Sequence, residues 1–133
     1  LMGWAAMRGQ VELPALLLYA GGIFWTLGYD TIYAHQDKKD DALIGIKSTA
    51  LLLGERTAPW LRGFYCAAVL LWICAGAASG SNPLFYILMA AALFHFLWLV
   101  ANTNLENPSS CRSGFLYNAY QGGFIVFMAC AFA

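Results

Sequence analysis

The chain has 133 residues, of which 61% are hydrophobic, 16% aromatic and only 11% charged, with a formal net charge of zero. This balance lies well outside the soluble globular range, so a membrane helix bundle is the first class to test, and no nucleic-acid partner is expected. A bilayer core needs about 20 apolar residues per spanning helix, and Leu13 to Tyr29, Gly63 to Leu105 and Ser113 to Ala133 contain no Asp, Glu, Lys or Arg.

In chain order, Leu1 to Met7 reads as the tail of an earlier span, so the true N-terminus is expected to lie upstream. Arg8-Gly9-Gln10 follows as a short polar turn. Leu13-Pro14 opens the first complete span, since Pro is tolerated in a first helical turn, and the apolar run continues to Tyr29. Asp40 to Leu53 mixes Leu and Ile with Asp, Lys, Ser and Thr, which fits an interfacial, partly helical loop. Gly54-Glu55-Arg56-Thr57 reads as a helix stop followed by a new start. The long apolar stretch after it is cut by Ser79-Gly80-Ser81-Asn82-Pro83 into a hairpin of two helices. A polar loop over Asn102 to Arg112 precedes the last span, which begins near Gly114. The reading is all-α: four full spans at about 13–29, 63–79, 83–102 and 114–133, a partial one before them, and a cytoplasmic loop over 30–56.

Short-loop Lys and Arg set the orientation. Lys38, Lys39, Lys47, Arg56, Arg62 and Arg112 fall on one side and only Arg8 on the other, so the loop 30–62 faces the cytoplasm or its matrix equivalent. Trp25, Tyr29, Trp60, Tyr65, Trp98 and Tyr117 lie near span ends, as an aromatic belt would. The cysteines, Cys66, Cys74, Cys111 and Cys130, have no C-x-x-C spacing and read as reduced packing residues. His95, in the middle of a span, reads as packed against the bundle interior. Gly21-Gly22 and Gly122-Gly123 read as points of close helix contact. No P-loop, dinucleotide fingerprint, nucleophile elbow or zinc site is present.

Ten of the fourteen charged residues fall between Asp30 and Arg62, so any chemistry is expected there. If a helix continues through that segment, the period of about 100° per residue places Asp37 and Asp41 roughly 20° to either side of Asp30. Tyr33 flanks that stripe and His35 points away from it. Aligned carboxylates repel one another, and a divalent cation removes the repulsion. Oxygen-only ligands suit Mg²⁺, which takes one or two carboxylates and completes its shell with water and phosphate oxygens. The alternative from spacing alone is a solvated, self-neutralised charge cluster. Asp30 weighs against it, because an ionisable group one residue past an apolar span is expensive and is by default a functional group facing the bundle interior.

The run Asp30-Thr-Ile-Tyr33-Ala34-His-Gln-Asp37-Lys-Lys-Asp-Asp41, followed by Leu43-Ile44-Gly45-Ile46-Lys47-Ser48-Thr49-Ala50, resembles the second Asp-rich motif of the UbiA-type membrane prenyltransferases, in their 4-hydroxybenzoate branch. Gly28-Tyr29 before it, and Asn107-Pro108, Cys111, Phe115, Asn118 and Gly122 after it, resemble the same family's C-terminal pattern.

The resemblance implies the second half of a nine-helix fold. It implies Mg²⁺ held by Asp37 and Asp41, which are thereby the catalytic carboxylates, with Asp30, Tyr33, Lys47 and Asn118 at the substrates. It further implies a polyprenyl diphosphate donor, 4-hydroxybenzoate as acceptor, a lipid bilayer around the bundle and a role in ubiquinone biosynthesis. Other quinone precursors, such as 1,4-dihydroxy-2-naphthoate, and porphyrins are the alternative acceptors. The family's first Asp-rich motif is absent from these residues. The chain is therefore expected to be part of a longer polypeptide, or to need a complementary chain, and to be inactive alone. A bacterial inner membrane is the expected location, with the mitochondrial inner membrane as alternative. From another class, a four-span transporter or assembly factor whose loop charges only set topology remains open.

Overall fold

The computed structural model describes all of residues 1–133 and is helical, with no strand. α1 (Met2–Arg8) ends at Gly9, whose φ of 77° stops the helix. α2 (Leu13–Ala34) starts with Pro at its first turn. Two short helices, α3 (Lys38–Ile44) and α4 (Thr49–Leu53), and one 3-10 turn at Gly54–Arg56 make up the loop. α5 (Thr57–Ser79) and α6 (Pro83–Asn102) form the expected hairpin. Its turn has Gly80 at φ 73° and Asn82 as cap, the Asn82 side chain accepting from Leu84 N at 2.9 Å ahead of Pro83.

The last helix starts earlier than expected. Asn107 caps it, accepting from the amides of Ser109 and Ser110, and Pro108 stands at its first turn, so α7 (Pro108–Tyr117) occupies much of what reads as loop. A π-helical turn, Asn118–Gly122, then leads into α8 (Gly123–Ala131). Residues Thr49–Ser79 and Pro83–Asn102 are long and apolar enough to cross a membrane. α7, with its Ser and Arg residues, is far less apolar than α2, α5 or α6.

α2 packs on α5, α5 on α6, α6 on α8, and α7 returns to α2, closing a four-rod bundle. Its core contains Ile32, Leu61, Tyr65, Val69, Met89 and Phe96, all fully or nearly fully buried. Tyr65 stacks on Phe96 with centroids 4.8 Å apart. This corrects its expected place in an aromatic belt: it lies on the α5 face turned to α2 and α6, whereas Trp60, Trp98 and Tyr117 remain about half exposed.

Of the paired glycines, Gly21 and Gly122 do sit at close contacts, a Cβ there meeting Trp72 and Phe96 at 2.5 Å, while Gly22 and Gly123 have room to spare. Cys111 is buried; Cys66, Cys74 and Cys130 are exposed, because they occur on helix faces that no neighbour covers, and all four are free thiols. His95 is half-buried beside Phe96 and Trp98 of its own helix, and its Nε2 is buried without a hydrogen-bond partner.

The α2–α5 contact depends on Gly28 as well, where a Cβ would lie 2.8 Å from the Tyr65 ring. Tyr65 is held between this backbone and Phe96 and has no space to retreat. Gly28→Ala is expected to cost about 1–3 kcal/mol by overpacking, seen as a lower thermal unfolding midpoint in detergent, with Gly22→Ala as the near-neutral control.

Candidate functional site at the end of α2

The helix that delivers the acidic segment runs further than the apolar span, through Tyr33 to Ala34. It then stops. His35, Gln36 and Asp37 form a turn, and α3 begins at Lys38 with Asp37 as its N-cap. The expected single stripe of three carboxylates is therefore not formed: Asp30 belongs to α2, and Asp37 and Asp41 to the start of α3. At the point where the helix ends, both ring nitrogens of His35 meet other elements, the Leu105 carbonyl and the Thr57 hydroxyl.

Asp30 also departs from its expected place. The face of α2 turned into the bundle carries Gly21, Gly28, Thr31 and Ile32, whereas Asp30 shares the opposite face with exposed Tyr19, Ile23 and Leu27. It faces out of this bundle.

Asp37 is exposed and Asp41 half-buried. Asp is a favoured N-cap residue, yet the Asp37 side chain makes no capping bond. Neither carboxylate is in an ion pair, the chain's one salt bridge being Lys38 Nζ to Glu106 Oε1 at 3.1 Å. Two free carboxylates one helical turn apart suit a magnesium ion that keeps waters and takes phosphate oxygens. No group of three or more His, Cys, Asp or Glu side chains converges as a closed metal cage. The donor set thus fits an open, half-built site. Lys47 is exposed and makes no ion pair, but its segment is folded back on α3 by the bond from Ile46 N to Asp41 O at 3.0 Å.

Below the loop, α2 and the last helix face each other through aromatic rings. Tyr33 lies 5.2 Å and Tyr29 5.9 Å from Phe115, and Trp25 packs edge-on against Tyr29 at 5.5 Å. Asn118, 1% exposed, opens the π turn and accepts from Trp25 Nε1 at 3.2 Å. Trp25, Tyr29, Phe115, Asn118 and Ala119 line a cleft of about 280 Å³. The structure therefore brings Tyr33 and Asn118 onto one continuous wall. Trp25, Tyr29 and Phe115 join them, although sequence reasoning assigned the first two to a belt and gave Phe115 no role. Their spacing on α2 (25, 29, 33) was the available signal.

His35 was the other omission. It is 4% exposed, and burial holds its imidazole below the usual histidine range, Lys38 adding to the effect while the Leu105 carbonyl and Glu106 oppose it. Hydrogen bonding to Lys38 and its charge hold the Glu106 carboxyl below its ordinary range.

Over residues 1–130 the chain matches the UbiA prenyltransferase family. The chain belongs to that family. Among its relatives, 4-hydroxybenzoate polyprenyltransferase, mitochondrial, from Drosophila melanogaster is 44% identical over 129 residues, covering 96% of this chain and 33% of the relative. The protein of the same name from Homo sapiens is 43% identical over 129 residues, covering 96% and 34%. That from Mus musculus is 45% identical over 123 residues, covering 92% and 33%. The chain spans about a third of the length of the curated relatives it matches. No solved structure matches it. The UbiA membership accounts for an all-helical bundle with apolar, span-length helices and removes the unrelated transporter reading.

Asn118→Leu would remove the acceptor of the partly buried indole N–H of Trp25. The expected cost is about 1–3 kcal/mol, read as a lower unfolding midpoint together with a changed Trp emission spectrum.

Proposed function

We propose that this chain forms the Asp-rich, C-terminal part of a magnesium-dependent enzyme that transfers a polyprenyl group from polyprenyl diphosphate to the ring of 4-hydroxybenzoate in ubiquinone biosynthesis. The observation that carries this reading is the pair of unengaged carboxylates, Asp37 and Asp41, at the mouth of an aromatic wall. The relatives' names support the acceptor and the donor class and favour a mitochondrial over a bacterial location; the excess of Lys and Arg in the loop supports a matrix-side orientation. In this reading α2, α5, α6 and the α7–α8 rod each span the bilayer.

Asp37 and Asp41 would hold the magnesium ion, and Lys47, on the segment folded back to Asp41, would meet the diphosphate. When bound, the metal supplies positive charge where negative charge develops on the departing diphosphate. The chain's own residues do the rest. Tyr33, Tyr29, Phe115 and Trp25 offer ring faces that accommodate an apolar chain and stabilise a nearby allylic cation. The same rings exclude water, which would otherwise capture the cation. Asn118, with its carbonyl engaged by Trp25, keeps its amide nitrogen free of hydrogen bonds within the chain and lines the cleft where the acceptor ring would lie.

The outward face of α2, with Tyr19, Ile23, Leu27 and Asp30, would be covered by the portion of a longer polypeptide that supplies the first Asp-rich motif. Residues 1–133 alone would accordingly not turn over.

In the full-length enzyme, Asp37→Ala and Asp41→Ala are each expected to lower transfer at least about 10²-fold, the scale of a lost transition-state charge stabiliser. Chelation should abolish transfer and added Mg²⁺ restore it. Normal Mg²⁺-dependent transfer by Asp37→Ala would remove the assignment. The upstream coding sequence should also contain a second Asp-rich cluster.

A further inference from the structure

α3, which carries Asp41 and begins at Asp37, is seven residues long and buries none of them. Packing therefore does not hold it. Its one side-chain tie joins a partly buried Lys38 to an exposed Glu106, and an ion pair with one partner in solvent contributes little. The carboxylates nevertheless need a fixed position, since a misplacement of about 1 Å in a reacting group costs on the order of 10²-fold in rate. The nearest rigid anchor is two residues before Asp37.

His35 is buried at the end of α2, and each ring nitrogen meets a different element. Nδ1 lies 3.1 Å from the Leu105 carbonyl, 70 residues along the chain in the α6–α7 connection. A carbonyl only accepts, so Nδ1 carries the proton and donates. Nε2 lies 3.1 Å from the hydroxyl of Thr57, the first residue of α5. Thr57 is 1% exposed, and its single hydroxyl proton is shared between that nitrogen and the Gly54 carbonyl at 2.7 Å. One imidazole thus fastens the end of α2 to the start of α5 and to the α6–α7 connection, at the point where the acidic segment leaves the bundle. Neither Leu105 nor Thr57 lines the aromatic cleft, although the Leu105 carbonyl also accepts from Cys111 Sγ of α7 at 3.6 Å.

We propose that His35 is a positioning residue for the magnesium-diphosphate side of the site, fixing Asp37 and Asp41 by pinning the root of their loop to α5 and to the α6–α7 connection. This rests on the reading of Asp37 and Asp41 given above. Because neither partner of the ring lines the aromatic cleft, its loss weighs on the magnesium and diphosphate side more than on the acceptor side.

The test is steady-state kinetics on the full-length enzyme in detergent or liposomes, with the unfolding midpoint measured alongside. His35→Ala is expected to raise both the half-saturating Mg²⁺ concentration and the KM for polyprenyl diphosphate about tenfold or more, leaving the KM for 4-hydroxybenzoate within twofold. His35→Asn, which can still donate to the Leu105 carbonyl, should recover part of the loss. Thr57→Val should shift the same two constants less, and the double variant should be no worse than His35→Ala, as coupled partners behave.

Should His35→Ala fail to fold, the selective shift in Thr57→Val carries the test. Unchanged Mg²⁺ and diphosphate dependence, or an equal shift in both substrates' KM with no recovery in His35→Asn, overturns the proposal. Asp37→Ala serves as the separating control. If it is inactive while His35→Ala matches wild type, only the role of His35 falls; if it is fully active, the reading of the site itself falls.

Discussion

At positions 21 and 28 of α2 there is no Cβ, and the rings of Trp72 and Tyr65 lie directly against that backbone. This close approach of α2 to α5 is the constraint from which the other placements follow. It sets which face of α2 is buried, and hence where Tyr33, Asp30 and the end of the helix point. It also holds Tyr65 flat on Phe96, which joins α5 to α6 and, through Gly122, to the π turn of the last helix. In a bilayer, where lipid offers no hydrophobic drive between helices, such small-residue contacts are what association depends on.

With that packing in place, the polar groups separate into two kinds. Inside the bundle some are engaged, Trp72 donating to the Leu18 carbonyl, Trp25 to Asn118, and His35 meeting Thr57 and Leu105, while the Thr31 and Tyr65 hydroxyls and His95 Nε2 are buried without a partner. At the loop end the charged groups are many and, apart from the Lys38–Glu106 pair, make no salt bridge. Asp40 and Asp41 lie in the first turn of α3, where acidic residues suit the helix dipole, yet none of the acids from Asp30 to Asp41 has a basic partner. Their freedom is what a site that must admit an ion and a phosphate ester requires.

The helical class, the hairpin at Ser79–Pro83 and the partly helical acidic loop were legible because composition, turn residues and the shift from apolar to mixed sequence all point the same way. The continuity of the acidic helix was not. Periodicity places Asp30, Asp37 and Asp41 on one face only while a helix persists, and where it ends His35 is held by tertiary hydrogen bonds to residues 22 and 70 positions away, which no local pattern announces. Likewise, Tyr65 and Trp60 look alike as aromatics near a span start, and only packing against α2 and α6 buries one and leaves the other half exposed. The early start of α7 was readable in principle, since Asn107-Pro108 is a cap followed by a first-turn proline, but polar residues beyond it read as loop.

The π turn at Asn118 links the structural and chemical halves of the molecule. One extra residue in the turn shifts the register between α7 and α8, so α7 can present Phe115 and Asn118 to α2 while α8 packs on α6. Such single-turn widenings are rare, cost hydrogen-bond geometry and concentrate at functional sites. Here the cost is offset in part by the Trp25–Asn118 bond, which places a buried amide beside aromatic rings. A regular helix from Pro108 to Ala131 could satisfy the backbone equally well, but it would rotate either Asn118 away from Trp25 or α8 away from Phe96. The irregular turn keeps both, and with them the cleft between α2 and the last helix.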